Sequence, residues 1–166
     1  LAKPHVDAQP SRPAPLKPIP RVVTPPVPPG QTGLEDDTEM RDIFLEEARE
    51  VMQTASEALG QLAKTPNDLG GMTSVRRAFH TLKGSSRMVG LKDFGEAAWG
   101  CEQLYNARLA DGAAADTELL EFSGEALDYL GRWIEGVAAG QTGGFNHRVV
   151  GRAADAMRNE RRRIPL

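Results

Sequence analysis

Cysteine is almost missing from this 166-residue chain: Cys101 stands alone. That excludes an internal disulfide framework and suits a reducing compartment. Aromatic residues are also few, at 5%, yet the apolar fraction of 40% fits a globular core better than a disordered chain. No apolar run approaches the roughly 20 residues needed to span a bilayer, and the N-terminus lacks a charged region followed by an apolar stretch. A soluble, cytoplasmic segment with no membrane insertion is therefore expected. A glycine-rich phosphate loop and a kinase-like α/β pattern are both missing, so nucleotide hydrolysis by this segment is not expected. His5, His147 and Cys101 show no metal-ligand spacing, and no metal site is expected.

Proline is distributed unevenly. Ten of the twelve prolines fall in residues 1–33, among them Pro25, Pro26, Pro28 and Pro29. Such a stretch cannot donate backbone hydrogen bonds at its prolines and prefers an extended conformation. It reads as a disordered linker within a longer protein in preference to a ligand for a proline-binding domain. Residues 34–140 then form the expected folded domain, and residues 141–166 a basic tail or short helix.

After the linker the pattern is helical throughout, and strand-like alternation is absent. Asp36 to Thr38 supply caps for a first helix in which Met40, Ile43, Phe44, Ala48, Val51, Ala55, Leu59 and Leu62 recur at helical intervals until Thr65-Pro66-Asn67. A second helix is expected from about Asp68 to Val89, closed by Gly90. A third runs from Leu91 or Lys92 to about Leu109, ending at Asp111-Gly112. A fourth runs from near Asp116 to Gly140, with Leu119, Ser123, Ala126, Leu127, Leu130, Ile134 and Val137 in register. Four amphipathic helices with short connections predict an all-α, antiparallel four-helix bundle. Phe145, Val149, Val150, Ala153 and Met157 suggest a shorter fifth helix, followed by Arg161-Arg162-Arg163. That basic end lacks the interleaved aromatics of a nucleic-acid surface and is expected to flank a domain boundary.

The second helix carries the most informative stretch, His80-Thr81-Leu82-Lys83-Gly84-Ser85. Met72, Val75, Phe79, Leu82, Ser86 and Val89 form its apolar stripe, and His80 falls about 130° from the stripe's centre, which predicts exposure. Arg76, Lys83, Gly84 and Arg87 share its face. A glycine inside a helix costs about 1 kcal/mol relative to alanine, so Gly84 asks for a reason: clearance for something approaching His80, with close helix packing or a merely tolerated glycine as the plainer readings. Charge supports the first. Residues 1–33 carry +3 and residues 141–166 carry +4, leaving −10 for the middle of a chain whose total is −3. Yet residues 69–92 contain no carboxylate and hold Arg76, Arg77, Lys83, Arg87 and Lys92. A basic island in an acidic domain, centred on one exposed histidine, is a place to put a dianion.

These residues resemble the histidine-containing phosphotransfer (HPt) family, whose helical His-x-x-Lys-Gly-Ser motif is matched by His80, Lys83, Gly84 and Ser85, with Gly90 at the helix end. The segments FHTLKGSSRMVGL (79–91) and GEAAWGCEQLYN (95–106) further resemble the phosphotransfer domains of chemotaxis-type hybrid histidine kinases, especially those tied to type IV pili. The resemblance implies that His80 takes a phosphoryl group and passes it to a receiver aspartate, and that Glu102 orients the His80 ring. It implies electrostatic roles for Lys83 and Arg87, and partner docking at Gly84, Arg76, Arg77 and Ser85; Ser85 and Ser86 carry no chemistry of their own. That class often has a histidine three residues before the glutamate, where this chain has Trp99. The implied partners are a histidine kinase catalytic domain and response-regulator receiver domains, which bring ATP, Mg2+ and the aspartate, so no cofactor is expected in this domain and no nucleic acid among its partners. Two other readings exist. A helical docking module that is never phosphorylated would lack an acid-labile phosphate, and a hydrolase using His80 as general base would need a nucleophile that the sequence does not offer.

Overall fold

Pro66 and the glycines at 90, 112 and 140 punctuate the chain between helices, and they do so for physical reasons. Proline cannot continue a helix from within it, and each of the three glycines adopts a left-handed backbone, with φ of +81°, +63° and +69°. The computed structural model describes the backbone from Gly33 and side chains from Asp37 to Leu166. Up to residue 32 the expected linker lies outside the described residues. Every regular element among the described residues is a helix: α1 (Gly33–Lys64), α2 (Leu69–Met88), α3 (Lys92–Ala110), α4 (Thr117–Ala139) and α5 (His147–Asn159). α1 begins upstream of the expected caps, and Asp37 and Thr38 stand inside it. No proline between Pro29 and Thr38 interrupts the helix there.

The four longer helices form an antiparallel bundle. At one end the α1–α2 and α3–α4 connections meet, where the Ala115 N–H donates to the Pro66 carbonyl at 2.8 Å. Asp116 caps α4 by accepting from the Leu119 N–H at 2.7 Å. At the opposite end an aromatic ladder crosses the molecule: Phe44 of α1 packs edge-on to Phe94 of α3, Phe94 to Trp133 of α4, and Phe145 stacks on Trp133 at 5.7 Å. Between these ends lie Leu62, Met72, Phe79, Leu82, Leu104, Tyr105, Leu119, Phe122, Leu130 and Ile134, all fully buried. The Tyr105 hydroxyl is satisfied in this core. Ser123 gives its own proton to the Leu119 carbonyl at 2.6 Å, so Tyr105 donates to Ser123. Cys101 is buried in the same core, and burial pushes its thiol well above the ordinary range.

One expectation from the apolar pattern changes in three dimensions, while the suggested fifth helix is present as α5. Met40 and Ile43, placed on the buried face of α1, are 46% and 59% exposed. They border a groove beside Ser85, Met88 and Val89, where α2 ends and no further helix among the described residues covers them. α5 is an integral part of the fold. Its Val150, Ala153, Ala154 and Met157 are buried, and it packs mainly on α3. A Cβ placed on Gly100 of α3 would lie 3.6 Å from the Gly151 Cα of α5, so glycines on both helices let the two backbones approach. Arg108 of α3 is buried and donates to the Met157 carbonyl at 3.3 Å in the last turn of α5, where a cation opposes the helix dipole favourably. Beyond α5, Arg163 and the Leu166 N–H both bond Glu125 of α4.

The α4–α5 connection depends on one further glycine. Gly136 accepts from the Gln141 N–H at 2.8 Å, and a Cβ there would sit 2.7 Å from the Gln141 oxygen and 2.8 Å from the Phe145 ring. Both obstacles belong to the connection that seats Phe145 on Trp133. Gly136→Ala is therefore expected to destabilise the fold by about 1–3 kcal/mol from overpacking, outweighing the gain of up to about 1 kcal/mol in helix propensity. Urea denaturation of the variant against the parent measures the difference, and equal midpoints would show that the connection shifts without cost.

Candidate functional site

α2 and α3 are joined by only Val89-Gly90-Leu91, and the closure of α2 is a Schellman turn. The Leu91 N–H donates to the Ser86 carbonyl at 2.9 Å and the Gly90 N–H to the Arg87 carbonyl at 3.2 Å. So short a turn folds the helices back on one another in antiparallel register, with Ser86 beside Gly95, Arg87 beside Glu96, and the His80–Lys83 turn beside Glu102. Gly95 sets how closely they approach. It is buried, and a Cβ there would meet Arg87 Cγ and Ser86 Oγ at 3.0 Å. Gly95 and Glu102 lie two turns apart on one face of α3, so the close approach at the first brings the carboxylate of the second against α2.

At the centre of this contact the Glu102 carboxylate is shared between two donors. Its Oε1 lies 2.7 Å from His80 Nδ1, and its Oε2 accepts from Lys83 Nζ at 2.6 Å. Exposure is graded across the three: the Glu102 side chain is 7% accessible, Lys83 17% and His80 60%. The carboxylate is thus held inside the helix pair while the imidazole stands in solvent, and Nε2 has no hydrogen-bond partner among the described residues. Burial alone would raise the Glu102 carboxyl pKa, but hydrogen bonds and charge from Lys83 and His80 outweigh it and hold the group below the ordinary carboxylate range. A carboxylate accepting from Nδ1 fixes the ring tautomer and leaves Nε2 with its lone pair outward, an arrangement able to attack an electrophile from solvent.

The other sequence-derived residues are not all gathered here. Arg87 pairs with Glu96 at 3.2 Å, with both side chains nearly half exposed, and so does not present a free charge to His80. Ser85, five residues beyond His80 and about 140° around the helix, donates to Glu47 of α1 at 3.1 Å. Arg77 is exposed and borders a groove with Glu50 and Thr54 of α1. Both face α1 and not Glu102, because α2 is packed between its neighbours. Arg76, one turn before His80, is half-buried and its guanidinium has no partner among the described residues. Gly84 is exposed, and a Cβ there would meet nothing within 4 Å, which removes helix packing as its reason. Three features were missed by sequence reasoning: Gly95, the Lys83–Glu102 bond and the Arg87–Glu96 pair. The i, i+7 spacing of Gly95 and Glu102 was the available signal for the first. Among the described residues no group of three or more His, Cys, Asp or Glu is placed to hold a metal ion.

A family model described as Hpt domain matches residues 39–140. The chain is 32% identical over 108 residues to the Chemotaxis protein CheA of Bacillus subtilis (strain 168), a stretch covering 65% of this chain and 16% of that protein. It therefore spans about a sixth of the length of the curated relative it matches. No solved structure matches it.

The geometry makes two measurements informative. Glu102→Ala is expected to shift neutral His80 away from the Nδ1–H tautomer, read from 15N shifts of the ring at high pH; an unchanged tautomer ratio would disconnect the two residues in solution. Because the Glu102 pKa is lowered on folding, its stabilising contribution is present above the unfolded carboxylate value near 4.5 and is lost as pH falls through the lower folded value. Glu102→Gln should therefore flatten the acid limb of stability against pH. A limb of unchanged steepness in denaturant melts across that range would contradict it.

Proposed function

Since the chain belongs to the Hpt domain family, we propose that His80 accepts a phosphoryl group and relays it, as a phosphotransfer module in chemotaxis-type signalling. The observation that carries this is an exposed imidazole whose Nδ1 is engaged by a buried carboxylate while Nε2 is left free. In the forward step the Nε2 lone pair attacks phosphorus. The bond from phosphorus to the donor oxygen breaks, and that oxygen leaves with the electron pair on ADP or on a receiver carboxylate. The ring becomes an N-phosphorylated imidazolium, and its Nδ1–H faces the Glu102 charge, which stabilises the positive ring. In the onward step a receiver aspartate attacks the same phosphorus and the ring leaves as neutral imidazole.

Glu102 is the orienting residue in this reading, and Lys83 keeps it ionised and in place. Phosphoryl transfer depends mainly on positioning and on neutralising the equatorial oxygens. With Lys83 and Arg87 already paired to carboxylates, Arg76 is the nearby cation without a partner among the described residues. A single partly solvated cation contributes about 1 kcal/mol or less, so it tunes the transfer. The module acts as acceptor and not as kinase; ATP, Mg2+ and the aspartate come with a histidine kinase catalytic domain and receiver domains. No helix among the described residues is long and apolar enough to cross a membrane, and a cytoplasmic setting is part of the proposal. The resemblance of residues 79–91 and 95–106 extends the proposal to signalling tied to type IV pili.

The test is chemical. Phosphoramidate, a small phosphoryl donor, should leave an acid-labile, base-stable phosphate on His80 Nε2, seen by 31P NMR, and His80→Gln should abolish that signal with helicity unchanged. A phosphate retained by the variant would falsify the assignment. Gly84→Ala should raise stability by about 1 kcal/mol in thermal melts, since its Cβ meets nothing. Gly84→Gln should slow transfer to a receiver while leaving loading by phosphoramidate intact; unchanged transfer would remove clearance as the reason for this glycine.

A further inference from the structure

The basic C-terminal segment takes no part in the chemistry at His80, yet α5 places two of its arginines beside an exposed tryptophan of α3. Trp99 of α3 is 42% exposed, whereas Trp133 is buried. Trp99 lines a groove of about 250 Å³ between α3 and α5, whose α5 wall carries Arg148, Gly151 and Arg152. That wall runs from His147 to Arg158, on the order of 16 Å along the helix, the length of about three helical turns. The floor is shallow because Gly100 and Gly151 bring the backbones together.

Charge in the groove is unbalanced. Its two carboxylates are both engaged, Glu96 by Arg87 at 3.2 Å and Asp155 by Arg158 at 3.3 Å. The guanidinium groups of Arg148 and Arg152 have no partner among the described residues. What remains is two free cations beside an exposed indole, a combination suited to acidic side chains flanking an apolar one. The groove adjoins the His80 site along α3. Glu96 both lines it and bonds Arg87 of α2, and Trp99 lies one turn before Glu102 on α3.

The geometry points to a second docking surface for the receiver domain that reacts at His80, in which an acidic segment of that domain lies along the α3–α5 groove, its carboxylates on Arg148 and Arg152 and an apolar side chain on Trp99. This rests on the phosphotransfer reading above and adds to it a determinant of which receiver is accepted. A protein segment fits better than a nucleic acid, because one indole offers no succession of stacking platforms along the 16 Å wall.

The test uses the whole chain loaded with phosphoramidate and the receiver domain of its organism that accepts the phosphoryl group fastest. Arg148→Glu with Arg152→Glu, and separately Trp99→Ala, are expected to lower kcat/KM for transfer by about ten-fold, with a flatter salt dependence in the charge-reversed protein. Loading by phosphoramidate should be unchanged in both, since the small donor does not reach the groove. Tryptophan emission of the parent and of His80→Gln should move to shorter wavelength when the receiver is added, and that of Trp99→Ala, which retains only the buried Trp133, should not, a signal that a merely structural role would not produce. Transfer within two-fold of the parent in both variants overturns the docking surface and leaves the phosphotransfer reading standing. A parent chain that cannot be loaded, or that no receiver discharges, overturns that reading and this inference with it. Competition by single-stranded RNA that displaces the receiver and quenches Trp99 would assign the groove to nucleic acid instead.

Discussion

One carboxylate, divided between an imidazole and an ammonium, is the interaction on which the site depends. Placing Glu102 at 7% exposure is costly unless both oxygens are satisfied, and they are satisfied only while α2 and α3 hold their register. That register comes from features without chemistry of their own: the three-residue turn at Gly90, the Schellman bonds that close α2, and the absence of a side chain at Gly95. The exposed histidine is thus the visible end of a contact whose determinants lie in the packing between two helices.

The electrostatics follow the same logic. Along the sequence, residues 69–92 look like a concentrated positive patch; in the folded chain, Lys83 and Arg87 are each spent on a carboxylate of α3. An ion pair between helices lowers the field that either partner projects into solvent. Among the described residues Arg76, Arg77 and Lys92 of that window keep no carboxylate partner, nor do Arg148 and Arg152 of α5. Counting charges in a window of sequence locates the right region and misjudges which of them are free.

Helix boundaries were legible because their causes are local: Pro66, Gly90, Asp116 and Gly140 act on the residues next to them, and the structure places its breaks there. His80 was legible as exposed, because helical periodicity alone separates it from the stripe of Met72, Val75, Phe79 and Leu82. What the sequence did not disclose is set by distance between elements. Met40 and Ile43 fit the apolar period of α1 and are uncovered because α2 stops beside them. Ser85 belongs to the motif and yet turns to Glu47, since its direction depends on where α1 lies. The contact of Glu102 with His80 was accessible through resemblance; the bond from Lys83 and the close approach at Gly95 required the packed pair.

Cys101 has a consequence of a different kind. The lone thiol adjoins Glu102 in sequence, is fully buried, and is held protonated by its surroundings, so a thiol-directed reagent finds nothing to attack while α3 stays seated. Reaction requires the helix to lift away, a local opening whose free energy lies somewhere between that of fraying and that of global unfolding. The same lifting takes the carboxylate away from the histidine. The labelling rate of this one sulfur is therefore a clock for how often the site disassembles and reforms, readable on the unaltered chain without touching the residues that build it.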